Sequence, residues 1–146
     1  MKQEYLPISA QNIDRFAPLY VAVFNAAPWH DGWSLPIVQE RLRFLALAPK
    51  FMGLGLLQDG EPIAMVFGAG DRVMAGWGLH LQEMCVAAEF QGRGHGRALM
   101  TEFESVLKAA SYVGISLQTN LDAPALRFYE HLGYRQFGNV SLRTRL

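Results

Sequence analysis

The segment Gln91-Gly92-Arg93-Gly94-His95-Gly96-Arg97 limits what this chain can fold into more than any other. It follows an apolar run ending at Val86 and opens a stretch with helical periodicity. Three alternate glycines remove Cβ atoms where a ligand can approach the backbone closely. The first N–H groups of the following helix lack intrahelical partners and carry the positive end of its dipole. Arg93 and Arg97 add full positive charges at the same place. Together these features suit a phosphate or pyrophosphate. Two familiar phosphate loops are excluded by the letters. A P-loop ends in Gly-Lys-Ser/Thr, whereas here Gly96-Arg97-Ala98 follows. The dinucleotide pattern G-x-G-x-x-G needs glycine at position 97 or 99, which Arg97 and Leu99 occupy. Spacing alone leaves one plain alternative, a glycine-rich strand-to-helix turn with incidental arginines.

The chain of 146 residues fits one domain, residues 1–146. With 51% apolar and 18% charged residues it can build a packed core, which excludes intrinsic disorder. Thirteen basic and 13 acidic side chains cancel, so the basic footprint of a nucleic-acid binder is missing. No apolar run approaches the ~18–20 residues that span a bilayer, so no membrane role is expected. Met1-Lys2-Gln3-Glu4 lacks an apolar leader core, and Cys85 is the lone cysteine. Both point to a reducing compartment, the cytoplasm.

The pattern predicts the order β-α-α-β-β-β-α-β-α-β-β, an α/β chain with a mixed sheet. Tyr5–Ile8 reads as a short strand, with Pro7 arguing for an edge. Ser9 caps a helix over Ala10–Phe24 that Pro18 should bend. A loop, Asn25–Trp33, precedes a second helix capped by Ser34 and running to Ala48. Phe51–Gln58 and Pro62–Ala69 flank Asp59-Gly60-Glu61, a hairpin signal. In the strand Leu79–Val86 the apolar parity switches, which predicts a β-bulge near Gln82-Glu83. A helix over Arg93–Ala110 carries the stripe Leu99, Phe103, Val106 and Ala110. Gly114–Thr119 reads as a strand and Asp122–Leu132 as a helix stopped by Gly133. Tyr134–Phe137 and Val140–Arg145 read as a closing hairpin around Gly138-Asn139.

Gln91-Gly92-Arg93-Gly94-His95-Gly96 matches the Q/R-x-x-G-x-G/A signature of the GNAT superfamily of acyl-CoA-dependent N-acyltransferases. Glu83-Met84-Cys85-Val86 resembles that family's fourth strand, and Ala125–Tyr134 resembles its A-x-x-F-Y-E-x-L-G-F/Y segment. The motifs cover about residues 79–135 in the family's order and spacing. The resemblance implies a mixed, mostly antiparallel sheet of about seven strands flanked by four helices. It also implies a cleft where the fourth and fifth strands splay. Acetyl-CoA is the implied acyl donor. Gln91, Gly92, Arg93, Gly94, His95, Gly96, Arg97 and Ala98 would surround its pyrophosphate, and Met84, Cys85 and Val86 would pair with its pantetheine arm. The family's usual asparagine, seven residues before the tyrosine, is Asp122 here. An acid accepts a pantetheine N–H bond but cannot donate one.

The implied reaction is direct attack of a primary amine on a thioester through a tetrahedral intermediate. A lysine-like amine has pKa ~10.4, so a base or a desolvated site is needed. Glu83, beside the expected bulge, is the best base in the sequence, directly or through water; otherwise it is a solvent-facing strand residue. A strand N–H near Cys85 or Val86 is the expected oxyanion donor. By the resemblance Tyr129 protonates the departing sulfur; otherwise it is a core tyrosine. Cys85 reads as buried packing. His30, His80, His95 and His131 share no ligand spacing, so no metal is expected.

In the resembled family the segment between the first two helices lines the acceptor site. Here it holds Trp29, His30, Asp31 and Trp33, aromatic faces plus an acid that suit a cationic amine. The alternative is that both tryptophans plug the core. Asp71, Arg72 and Trp77, read as a loop, are the expected opposite wall. The acceptor is expected to be a small-molecule amine. A protein or peptide amine, or a non-catalytic acyl-CoA-binding domain, stays open. Dimers are frequent in the family, so a homodimer is also an expectation.

Overall fold

The apolar runs pair into one sheet, and the two amphipathic helix pairs cover its faces. The computed structural model describes residues 1–146 and orders five strands β1-β2-β3-β4-β5. These are β1 Gln3–Ile8, β2 Met52–Gln58, β3 Glu61–Val73, β4 Gly76–Val86 and β5 Ile115–Ser116. Neighbours β1 to β4 run antiparallel, and β5 joins β4 in parallel. Pro7 lies in β1, an edge strand, where a missing N–H costs least. Asp59 and Gly60 both take positive φ, 51° and 83°, the geometry of a tight hairpin turn between β2 and β3.

Helices α1 Ala17–Asn25 and α2 Leu35–Ala46 pack on one face with Met65, Phe67 and Cys85 beneath them. Helices α3 His95–Ala109 and α4 Pro124–His131 pack on the other, over Leu54, Ala64, Val66 and Leu79. Strand β3 is therefore buried continuously from Ile63 to Phe67 and does not alternate. Each large side chain buried this way contributes about 1.5–3 kcal/mol relative to exposure.

Several sequence expectations change. A 3₁₀ turn, Ile13–Phe16, precedes α1, and Pro18 sits in the first turn of α1, where its missing N–H has no consequence. It does not bend a longer helix. Ser34 Oγ accepts the Ile37 N–H at 3.4 Å and caps α2 as expected. On α3 the buried set is Leu99, Met100, Phe103 and Leu107, while Val106 and Ala110 face outward. Both sets have helical spacing, and the larger Met100 and Leu107 take the core. Asp71, Arg72 and Trp77 belong to the β3–β4 hairpin, with Asp71 opposite Gly78 and Arg72 opposite Trp77. Trp77 is six residues from Glu83 along β4, roughly 20 Å at strand rise, and does not wall the site. Residues 135–146 form no strand, so the closing hairpin is absent and the sheet has five strands. A two-residue β5 is too short an edge to template further pairing.

Two features of β4 position the site. Phe67 pairs with Glu83 but Gly68 pairs with Leu81, which leaves Gln82 as the extra residue of the expected bulge. A Cβ on Gly68 would run into the His80 carbonyl, so glycine is required opposite the bulge. Second, β5 contacts β4 only through Leu79–Ile115 and His80–Ser116. Beyond His80, β4 has no strand neighbour on that side, and a cleft opens. No helix is long and apolar enough to cross a membrane.

Candidate active site

The glycine loop delivers its backbone donors unpaired. Gly92 and Gly94 take φ of 74° and 85°, a region where L side chains are strained. Gly94 caps α3 without a side-chain hydrogen bond. None of the backbone N–H groups from Gly92 to Arg97 donates a well-formed hydrogen bond within the chain; Ala98 is the first to do so, to Gly94 O at 3.0 Å. The loop opens into a depression of about 230 Å³ lined by Gly92, Gly94, Gly96, Arg97, Phe128, His131 and Leu132. His131, on the exposed side of α4, thus reaches the rim of the same depression. Six consecutive free donors, a helix N-terminus and Arg97 make a cradle for an anion.

The cradle abuts the open edge of β4. A Cβ on Gly96 would lie 3.2 Å from Met84 Cε and 3.3 Å from the Phe128 ring, so loop, strand and α4 meet there. The Ala87 N–H donates to Ile63 O at 2.8 Å, which marks these opposite residues as a hydrogen-bonded pair. Alternation then turns the backbone of Cys85 toward Met65 in β3 and the backbones of Met84 and Val86 toward the cleft. Gln91 Nε2 donates to Val86 O at 2.9 Å, so the Gln91 side chain braces the strand end.

Glu83 faces α1 and α2 and closes a ring of three groups. Its Oε1 accepts from Arg41 Nη2 at 2.8 Å and from the Tyr20 hydroxyl at 3.1 Å, while Arg41 Nε donates to that hydroxyl at 3.2 Å. Glu83 Oε2 has no partner in the chain. Burial raises the Tyr20 phenol above its ordinary value, and the Glu83 charge raises it further. Tyr20 and Arg41 were not singled out from sequence. The available signal was Arg41 itself, a charge three residues after buried Val38 and next to buried Leu42.

Tyr129 is buried between Phe128 and Tyr134, with ring centroids at 5.1 and 5.5 Å. Its hydroxyl takes no part in the side-chain hydrogen bonds of the chain, and since no buried polar atom is left unpartnered it is open to solvent. Burial pushes the phenol well above its ordinary value, and the charge of Glu83 pushes it further. Burial likewise pushes up the Cys85 thiol, which remains unionised and inert as a nucleophile.

The α1–α2 loop contributes unequally. Trp33 packs edge-on to Tyr20 at 5.6 Å and lies under the Arg41 guanidinium at 5.8 Å. Asn25 fixes its backbone from both sides, accepting the Trp33 N–H at 2.6 Å and donating to its carbonyl at 2.8 Å. Asp31 Oδ2 accepts from Trp33 Nε1 at 3.1 Å. Trp29 lies edge-on to Phe24 at 5.2 Å and stays 38% exposed. His30 is exposed and outside this cluster. Asp122 lines a separate open depression beside the start of α4, with Pro124 and Arg127, and is not brought to the cradle.

Comparison with known proteins places the chain. Among proteins of curated function, none matches it significantly in sequence. In fold it is similar to an aminoglycoside acetyltransferase from an uncultured soil metagenomic sample, at TM-score 0.77 and 18% identity over 100% of this chain and 99% of that one. A possible acetyltransferase from Clostridium difficile aligns at TM-score 0.82 and 14% identity, again over 100% and 99%. AAC(6')-Iy, crystallised with the bisubstrate analogue CoA-S-monomethyl-acetylneamine, aligns at 0.74 and 12% over the same shares. The sequence profile of the acetyltransferase (GNAT) family matches residues 14–134. The cradle, the bulged and splayed β4 and that match agree: the chain belongs to the acetyltransferase (GNAT) family, whose acyl donor is acetyl-CoA.

Proposed function

We propose that this acetyltransferase is an N-acetyltransferase acting on a small-molecule primary amine. One observation carries the reading: the anion cradle and the open β4 edge meet at Gly96 and Met84, the residue next to Glu83. The residues fit acetyl-CoA. Free N–H groups from Gly92 to Arg97 suit its pyrophosphate, and the Met84 and Val86 backbones suit the amides of its arm. When bound it supplies an activated thioester.

The chain's own groups do the rest. Glu83 Oε2 takes the proton of the incoming ammonium, directly or through water, so that a neutral amine attacks the thioester carbonyl. The cleft-facing N–H of Val86 is placed to stabilise the oxyanion of the tetrahedral intermediate. Tyr129 stays protonated because burial disfavours its phenolate, which is the form that can protonate a departing thiolate. The solved relative named as an aminoglycoside acetyltransferase supports a small-molecule acceptor. A lone free cysteine and the use of acetyl-CoA support a cytoplasmic setting.

Thiol release from acetyl-CoA, measured with and without a panel of primary amines, tests the reading. Amine-dependent release supports it. Tight acetyl-CoA binding without release on any amine would leave only a binding domain.

A further inference from the structure

The acceptor side of the cleft pairs its charges in a way that selects among amines. Arg41 is held on three sides, by Glu83 at 2.8 Å, by Tyr20 at 3.2 Å and by the Trp33 ring at 5.8 Å. A guanidinium has five N–H donors, and two of these are used. The rest have no partner in the chain, and the side chain is 38% exposed while that of Glu83 is only 14% exposed. Arg41 is therefore a preorganised, incompletely satisfied cation, and its planar edge matches a carboxylate.

The carboxylate of Glu83 is paired with Arg41, and its Oε1 also accepts from Tyr20. What remains open is one oxygen of Glu83 and the unused donors of the Arg41 paired with it. An adjacent acid and base are complemented by an adjacent base and acid. We propose, resting on the N-acetyltransferase reading, that the acceptor is an α-amino acid whose carboxylate docks on Arg41 and whose amine docks on Glu83 Oε2, with Trp33 beneath them. Arg41 is then the specificity-determining residue, and the amine is delivered to the group that deprotonates it.

The test compares initial rates at saturating acetyl-CoA for the common L-amino acids, for phenethylamine, isoamylamine, tyramine and tryptamine as decarboxylated counterparts, and for neamine. The expected result is a kcat/KM for the best amino acid about tenfold or more above its decarboxylated counterpart. Arg41→Met should bring that ratio close to one, and Arg41→Lys should restore part of it. Acetyl-CoA affinity should stay unchanged in both variants, which certifies their fold. A merely structural role for Arg41 would slow both substrates alike and leave the ratio intact. Equal or better turnover of the decarboxylated amines or neamine, or an unmoved ratio in Arg41→Met, overturns the amino-acid assignment while acetyl transfer stands. Acetyl-CoA binding with no release on any compound overturns both.

Discussion

Arg41 Nη2 lies 2.8 Å from Glu83 Oε1, an ion pair that ties α2 to the bulged strand β4. Tyr20, from α1, bonds both partners and completes a ring across three elements. Tyr20→Phe keeps the ring packing on Phe24 and removes two hydrogen bonds. We expect a loss of about 1 kcal/mol in stability and a lower kcat, read by denaturant unfolding and by initial rates.

Glu83→Gln keeps the shape of the side chain but cannot take a proton. The expected outcome is a fall in kcat of roughly 10²- to 10⁴-fold with acetyl-CoA affinity unchanged in a binding titration. An unaltered kcat would return Glu83 to a purely structural role.

Tyr129→Phe removes only a hydroxyl that has no partner in the chain. Folding should therefore survive, while kcat should fall by roughly 10²-fold. Because burial raises the Tyr129 phenol, the wild-type rate should show no Tyr129 limb below pH ~10, the ordinary tyrosine value. Rate profiles of the two proteins check this.

Stability should fall in alkali. Cys85 and Tyr129 have folded-state values raised above their unfolded ones. At high pH the unfolded chain therefore binds fewer protons than the native one. The stabilisation is fully present below the unfolded values and is lost as pH rises above ~8.5 for Cys85 and ~10 for Tyr129. The slope is about 1.4 kcal/mol per pH unit for each group. Cys85→Ala should lower stability near neutrality through lost packing but flatten the curve between those two onsets.

Gly94→Val forces a β-branched residue to φ 85° at the start of α3. The expected cost is about 1–2 kcal/mol of stability together with loss of acetyl-CoA affinity. Retained affinity would contradict the cradle.

The features legible in the sequence are those a few neighbouring residues decide. The glycine loop, the Asp59-Gly60 hairpin, the Ser34 cap and the bulge at Gln82 all depend on local backbone chemistry, and all are present. Pairing at a distance is less legible. The Arg41–Glu83 contact joins residues 42 apart in the chain, and nothing near either one announces the other. The buried side of α3 depended on whether Met100 or Val106 turns inward, which helical period alone does not decide. The closing hairpin failed for a related reason, since strand propensity in Val140–Arg145 needs an edge and β5 offers only two residues.

Acetyl transfer to an amine is tested most directly by the mass of the product formed when the purified protein, acetyl-CoA and an amine acceptor are incubated together, with thiol release followed in parallel. One N-acetylated amine is expected per thiol released, with both signals lost together in Glu83→Gln. Thiol release without an acetylated amine, or release unaffected by leaving the amine out, would contradict it.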